Sequence, residues 1–291
     1  MSFRRLCIIG VGLIGGSVAR AVRKAGVCQQ IVGVDQCPEN LAKAVDLGVI
    51  DAGFAAVAKG AEGADGVMIA APVGSLPAIF AGLKPVWTEE AVYTDAGSTK
   101  QDVIAAARSA LGFVPANFVP GHPIAGAERS GVEAAQENLF RNKRVILTPV
   151  AGVTDERATA LVTALWEAAG AQVSRMDAHH HDEVLAATSH LPHVLAYALT
   201  HMLGRKDEQQ EIFCYAAGGF RDFTRIASSD PRMWQDICLA NREQIIPLLQ
   251  QFGDELQRVA GLMKEGSAQS LFDYFTEARS ARQRFLDQLE K

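Results

Sequence analysis

The stretch "CIIGVGLIGGS" constrains the fold more than any other. It places Gly10, Gly12 and Gly15 in G-x-G-x-x-G spacing. An apolar, strand-like run, "RLCIIGVG", enters the turn, and the amphipathic stretch "GGSVARAVRKAG" leaves it as a helix. Glycines so spaced permit a tight turn, close approach of a pyrophosphate and close packing of helix on strand. The helix that opens at Leu13 and Ile14 offers its free N–H groups to phosphate oxygens. Glycine-rich turns are common, so the spacing alone is weak evidence. Its context strengthens it, because the next strand, "QIVGVDQ", ends in Asp35, 20 residues after Gly15. A carboxylate there binds the adenosine ribose hydroxyls, which points to NAD rather than NADP, whose 2′-phosphate would meet a like charge.

Strand and helix patterns alternate through the first half. "ADGVMIAAPV", "AVYTDAG" and "NFVPGHP" read as strands, with helical stretches between them. "KRVILTPV" and "AQVSRMD" flank the helix "DERATALVTALWEAAG". This alternation implies an α/β, doubly wound parallel sheet of the Rossmann type. From Asp177 onward the strand signal fades and apolar helices take over. We therefore expect a dinucleotide-binding domain over 1–176 and an all-α domain over 177–291, the latter making a homodimer by analogy with similar two-domain arrangements. Charge excludes some partners: 28 basic against 33 acidic residues give a net −5 with no basic stripe, so no nucleic acid is expected. No apolar run is long enough to span a membrane. The opening residues run straight into a strand without a signal-peptide pattern, and the five cysteines include no C-x-x-C pair. A cytoplasmic protein with reduced thiols is expected.

Four further stretches carry chemistry-bearing residues: "TDAGSTK", "PGHPIAG", "HDEVLAATSHLPH" and "GFRDFTRIASSDPRMW". The first two end expected strands, the edge at which open parallel sheets bind ligands. In the second, Pro120 and Pro123 stiffen the backbone around His122, and Gly121 and Gly126 let it bend. Together with the glycine turn, the four stretches resemble the prephenate/arogenate dehydrogenase family of tyrosine biosynthesis over nearly the whole chain. The resemblance implies a dinucleotide domain followed by a helical dimerisation domain. It also implies the oxidative decarboxylation of a cyclohexadienol, with both ends of this chain taken up by the catalytic unit.

Position by position, the resemblance implies that His122 bonds the substrate hydroxyl and that Ser98 supports that hydroxyl and the histidine. It implies that His190 and His193 line the substrate pocket, that Arg225 grips a substrate carboxylate and that Trp234 lies near the pocket. Histidine suits a proton acceptor near neutrality, and a guanidinium holds a carboxylate in two-point geometry. His190 and His193 with Asp182 could suggest a metal site, but a third clear ligand is missing and no metal is expected. His179 and His180 read as solvated. Arogenate's ammonium would need an acidic neighbour, and Asp222 and Asp230 lie nearest Arg225 in sequence. Two alternatives remain. One is a beta-hydroxyacid dehydrogenase or imine reductase, although Lys206, Lys264 and Lys291, the only lysines after 176, fall in no promising motif. The other is a non-enzymatic dinucleotide sensor, which would not need Ser98, His122 and Arg225 together.

Overall fold

The computed structural model describes residues 2–127 and 129–289. It divides into two compact units, Met1–Arg242 and Glu243–Lys291. In the first unit the chain order is β1 (Phe3–Ile9), α1 (Leu13–Lys24), β2 (Cys28–Val34), α2 (Pro38–Asp46), β3 (Ala52–Phe54), α3 (Val57–Ala61), β4 (Gly66–Ile69), α4 (Leu76–Leu83), β5 (Val92–Asp95), α5 (Gln101–Leu111) and β6 (Phe118–Val119). These strands form one parallel sheet in the order β3-β2-β1-β4-β5-β6. The order reverses between β1 and β4, which opens a crevice at the carboxyl ends of those two strands.

The sheet is buried on both faces because successive side chains of a strand point to opposite sides. Along β1, Leu6 and Ile8 enter one core with Val18, Val22 and Trp166. Cys7 and Ile9 enter the other with Phe80, Val103 and Phe118. Cys7 behaves as a small apolar residue: burial pushes its thiol up to about 12.

The stretch read as one strand, "NFVPGHP", is two. Phe118–Val119 pairs with β5 in the main sheet. After Pro120 the chain crosses into a second sheet as β7 (Gly121–Pro123). It pairs antiparallel with β8 (Arg144–Leu147), which pairs parallel with β9 (Gln172–Arg175) after α6 (Glu156–Ala168). Proline cannot donate to a ladder, which is why the strand breaks there. The crossing is held from below by a fully buried ion pair. Lys100 Nζ donates to Asp95 Oδ2 and to the Gly121 carbonyl at 2.6 Å, and Asp95 Oδ1 accepts the Gly121 N–H at 3.0 Å. A Cβ on Gly121 would lie 3.1 Å from the Asp95 carbonyl oxygen, so the close approach favours glycine.

Helices follow, with no further strand among the described residues: α7 (Ala178–Leu185), a π-helical turn (Ala186–His190), α8 (Leu191–Gly204), α9 (Gln209–Cys214), α10 (Gly218–Thr224), a 3₁₀ turn (Arg225–Ser228) and α11 (Pro231–Ala240). Asp177 caps α7 through the N–H groups of His179 and His180. Trp234 and Ile237 of α11 pack into the core shared by Cys7 and Phe80. The second unit, from Glu243, holds α12 (Arg242–Glu265) beyond its first residue and α13 (Ala268–Leu289). It exposes Leu256, Met263, Phe272, Phe275 and Phe285. Among the described residues no helix is long and apolar enough to cross a membrane.

The buried pair and an exposed pair provide a direct comparison. Lys100→Met strands the Asp95 carboxylate in the interior and should cost about 3–5 kcal/mol in urea unfolding. Lys43→Met, which removes the exposed pair with Glu133, should cost less than about 1 kcal/mol. Equal, small losses for both would show that Asp95 and Lys100 do not hold the strand crossing.

Candidate active site

The glycine turn has the shape its spacing implies. Gly10 has φ +91°, and a Cβ there would overlap the Ala70 carbonyl at the end of β4. A Cβ on Gly15 would overlap the Gly10 carbonyl oxygen and crowd Ile8, so α1 sits tight on β1. At Gly12 the space is open, with nothing within 4 Å of an added Cβ. The first-turn N–H groups of α1 have no intrahelical acceptor, and Leu13 and Ile14 begin that turn. Asp35, just past β2, is held in place: Oδ2 accepts Val11 N–H at 3.1 Å and Asn40 Nδ2 at 3.0 Å, and Oδ1 accepts Cys37 N–H at 3.0 Å. An open cradle of amides beside a fixed carboxylate fits the diphosphate and ribose of a nicotinamide dinucleotide.

His122 lies on β7, beyond the strand crossing. Its Nδ1 is 2.9 Å from Nε2 of His181, whose Nδ1 is 2.8 Å from Asp182 Oδ1. Asp182 also accepts the N–H groups of Lys100 at 2.8 Å and Gln101 at 2.9 Å, at the start of α5. Burial raises the Asp182 pKa, but the bonds from His181 and from these amides outweigh it and leave the carboxyl below its ordinary value. Burial first, then the neighbouring His181, Lys100 and His190, hold His122 well below its ordinary value. Burial likewise lowers His181 against the pull of Asp182.

These directions assign the protons. Asp182 is a carboxylate and can only accept, so Nδ1 of neutral His181 donates to it. Nε2 of His181 then accepts, and Nδ1 of His122 donates to it. The bare lone pair of the chain therefore sits on His122 Nε2. His122 keeps 9% of its surface exposed and His181 none, so His122 is the accessible end of the chain.

A second cluster adjoins the first through Asn241. Its Nδ2 donates to the Asp182 carbonyl at 2.8 Å, which identifies it as the amide nitrogen, and lies 3.1 Å from His190 Nδ1. His190 Nδ1 accepts, so its Nε2 carries the proton. Burial pulls the pKa of His190 down to about 4. That Nε2–H and the Trp234 indole N–H are buried with no partner among the described residues. Two orphaned donors call for an acceptor from a ligand. The Trp234 ring stacks on His193 at 3.8 Å and meets His190 edge-on at 6.1 Å. His193 Nδ1 bonds the Ser189 carbonyl at 2.8 Å. Burial holds His193 below its ordinary value against the bond to the Ser189 carbonyl, and the charge of Arg225 acts in the same direction as burial. Arg225 is exposed on a 3₁₀ turn that packs against α8.

The structure thus brings His122, His190, His193 and Trp234 into two linked clusters, with the charge of Arg225 felt at His193. Ser98 lies half-buried in the turn between Asp95 and Lys100. His190, at the end of the π turn, and His193, on α8, both contact the ring of Trp234. His179 and His180 are exposed. Asp230 is engaged as the cap of α11, bonding Met233 N–H at 2.9 Å, and Asp222 is exposed beside Arg221. Among the described residues no group of three or more His, Cys, Asp or Glu could hold a metal ion. Sequence did not single out His181, Lys100 or Asn241, and it offered Asp182 only as a metal ligand. The first sits in the run "AHHHDE", where a buried histidine looks like its exposed neighbours.

Comparison with known proteins agrees with this architecture. Residues 18–175 match the model of the prephenate dehydrogenase nucleotide-binding domain, and residues 177–277 match that of the prephenate dehydrogenase dimerization domain. The first match begins after the glycine turn, whose assignment therefore rests on the geometry above. The chain is 37% identical to a cyclohexadienyl dehydrogenase of Zymomonas mobilis, over 96% of this chain and 95% of that one. It is 38% identical to a prephenate dehydrogenase of Bacillus subtilis, over 95% of this chain and 75% of that one. A crystal structure of prephenate dehydrogenase from A. aeolicus, in complex with hydroxyphenyl propionate and NAD+, superposes with a TM-score of 0.90 at 38% identity and covers 98% of this chain and 99% of that one. With both of its domains matched and close relatives spanning nearly its whole length, the chain belongs to the prephenate dehydrogenase family.

Proposed function

We propose that the protein catalyses the NAD-dependent oxidative decarboxylation of prephenate, arogenate or both, giving 4-hydroxyphenylpyruvate or tyrosine. The observation that carries the proposal is the neutral His122–His181–Asp182 chain, which leaves an acceptor lone pair just past the carboxyl ends of β5 and β6. Gly10, Gly12, Leu13, Ile14 and Gly15 would hold the dinucleotide diphosphate, and Asp35 the adenosine ribose. When bound, the nicotinamide supplies the acceptor for a hydride.

His122 Nε2 takes the hydrogen bond of the ring hydroxyl and draws off its proton as hydride leaves the carbinol carbon. The bond from the ring to its carboxylate breaks, its electron pair enters the ring, and CO2 departs. The new phenolic oxygen takes the proton back. His181 and Asp182 hold His122 in the accepting tautomer, as a carboxylate orients an imidazole in other proton-transfer sites. Ser98 supports the hydroxyl. Arg225 grips a substrate carboxylate, and the orphaned N–H groups of His190 and Trp234 suit further acceptor atoms of the substrate. Asp222 or Asp230, the acidic residues nearest Arg225 in sequence, would meet arogenate's ammonium. The hydroxyacid dehydrogenase alternative finds no enclosed lysine among the described residues after 176: Lys206 and Lys264 are exposed, and Lys291 lies outside them. The exposed apolar side chains of α12 and α13 suit a homodimer.

NADH formation with prephenate, and separately with arogenate, is the assay. His122→Asn should lower kcat by about 10²–10⁴-fold, the usual worth of a general base. In the parent, kcat should hold as pH falls through the ordinary histidine range and decline only below it, because burial depresses the His122 pKa. A variant with parental kcat would remove the histidine from the mechanism. Arg225→Ala should raise KM for prephenate by about 10- to 100-fold, the loss of one charge-assisted contact, with KM for NAD nearly unchanged. A parallel rise in both would assign Arg225 to structure.

A further inference from the structure

Asn40, on the first turn of α2, makes three bonds that join three separate segments. Its Nδ2 donates to the Val11 carbonyl inside the glycine turn at 2.9 Å and to Asp35 Oδ2 at 3.0 Å. Its Oδ1 accepts the Val132 N–H at 3.2 Å. The Val11 carbonyl can only accept, which fixes which end of the amide is nitrogen. Asp35 alone could rotate about its side-chain torsions. With Val11 N–H and Asn40 Nδ2 both on Oδ2 and Cys37 N–H on Oδ1, one carboxylate orientation is selected. Val132 is 1% exposed and opens a short 3₁₀ turn in the core beneath α1 and α2. It belongs to the segment that leaves His122, and Gln136 N–H on Ser17 Oγ at 2.9 Å seats that segment again on α1.

We propose that Asn40 is a positioning residue for dinucleotide choice: it holds the Asp35 carboxylate in the orientation that accepts the two ribose hydroxyls and repels a 2′-phosphate. This rests on the reading of Asp35 as the ribose ligand. The same amide ties that corner to the segment running from His122.

Substitutions separate the two ends of the amide. Asn40→Ala removes all three bonds. Asn40→Asp keeps an acceptor for Val132 N–H, loses both donors, and sets a carboxylate against Asp35. The readout is the dissociation constant of NAD and of NADP for the substrate-free protein, by titration calorimetry, with the melting temperature recorded alongside. In the parent, NAD should bind more tightly than NADP. Asn40→Ala should weaken NAD by about tenfold, the low end for losing a hydrogen bond to a charged group, and change NADP by less than about twofold, so the preference narrows. Asn40→Asp should weaken NAD at least as much as Asn40→Ala, although its contact with Val132 survives. A parent that prefers NAD and an Asn40→Asp protein with parental NAD affinity would overturn the role of Asn40 and leave the ribose reading of Asp35 standing. Parallel weakening of both dinucleotides in Asn40→Ala would also overturn it. A parent without preference would overturn the ribose reading itself, and with it the role built on it.

Discussion

The ion pair of Asp95 and Lys100 is the interaction on which the site depends. Both side chains are fully buried, so neither charge is solvated and each needs the other. The pair takes up the N–H and the carbonyl of Gly121, where the chain leaves one sheet and enters another. The backbone N–H groups of the same lysine and of Gln101 donate to the Asp182 carboxylate. His122 is thus fixed from two sides by one residue: through Gly121 beside it in the chain, and through Asp182 and His181 across the site.

This arrangement also sets the electrostatics. A positive charge locked beside two buried imidazoles disfavours a second one, and burial acts in the same direction. The depressed histidines bind fewer protons in the fold than in the unfolded chain at mildly acid pH. Their contribution to stability is present above the ordinary histidine pKa and is lost as pH falls toward the folded values. The lowered Asp182 has the same sign in its own, more acid range. An active site built this way favours proton acceptance at neutral pH and weakens the fold in acid.

Much of this was legible in the sequence. The glycine spacing, the carboxylate 20 residues beyond it and the alternation of strand and helix are local signals, and each corresponds to a local structure. His122 stood out because Pro120, Gly121 and Pro123 are costly residues to gather around one side chain. What stayed hidden depends on contacts between distant segments. Asp182 meets the start of α5, some 80 residues earlier, and Asn241 meets Asp182 across 59 residues. Neither has a periodic or turn signature. The break at Pro120 was masked because both halves of "NFVPGHP" are extended, and only pairing partners distinguish two short strands from one. Asn40 reads as an ordinary polar residue early in a helix, and its importance appears only when the turn it bonds is folded beneath it.

The central claim is that His122 is neutral, with its proton on Nδ1 and a free lone pair on Nε2. Nitrogen-detected NMR of the ¹⁵N-histidine-labelled protein reads this directly, with His122→Asn used to assign the ring. The account predicts a neutral ring protonated at Nδ1 that shows no titration near pH 6.5, the ordinary value for histidine. A ring that is protonated at both nitrogens at neutral pH, or a neutral ring carrying its proton on Nε2, would contradict it.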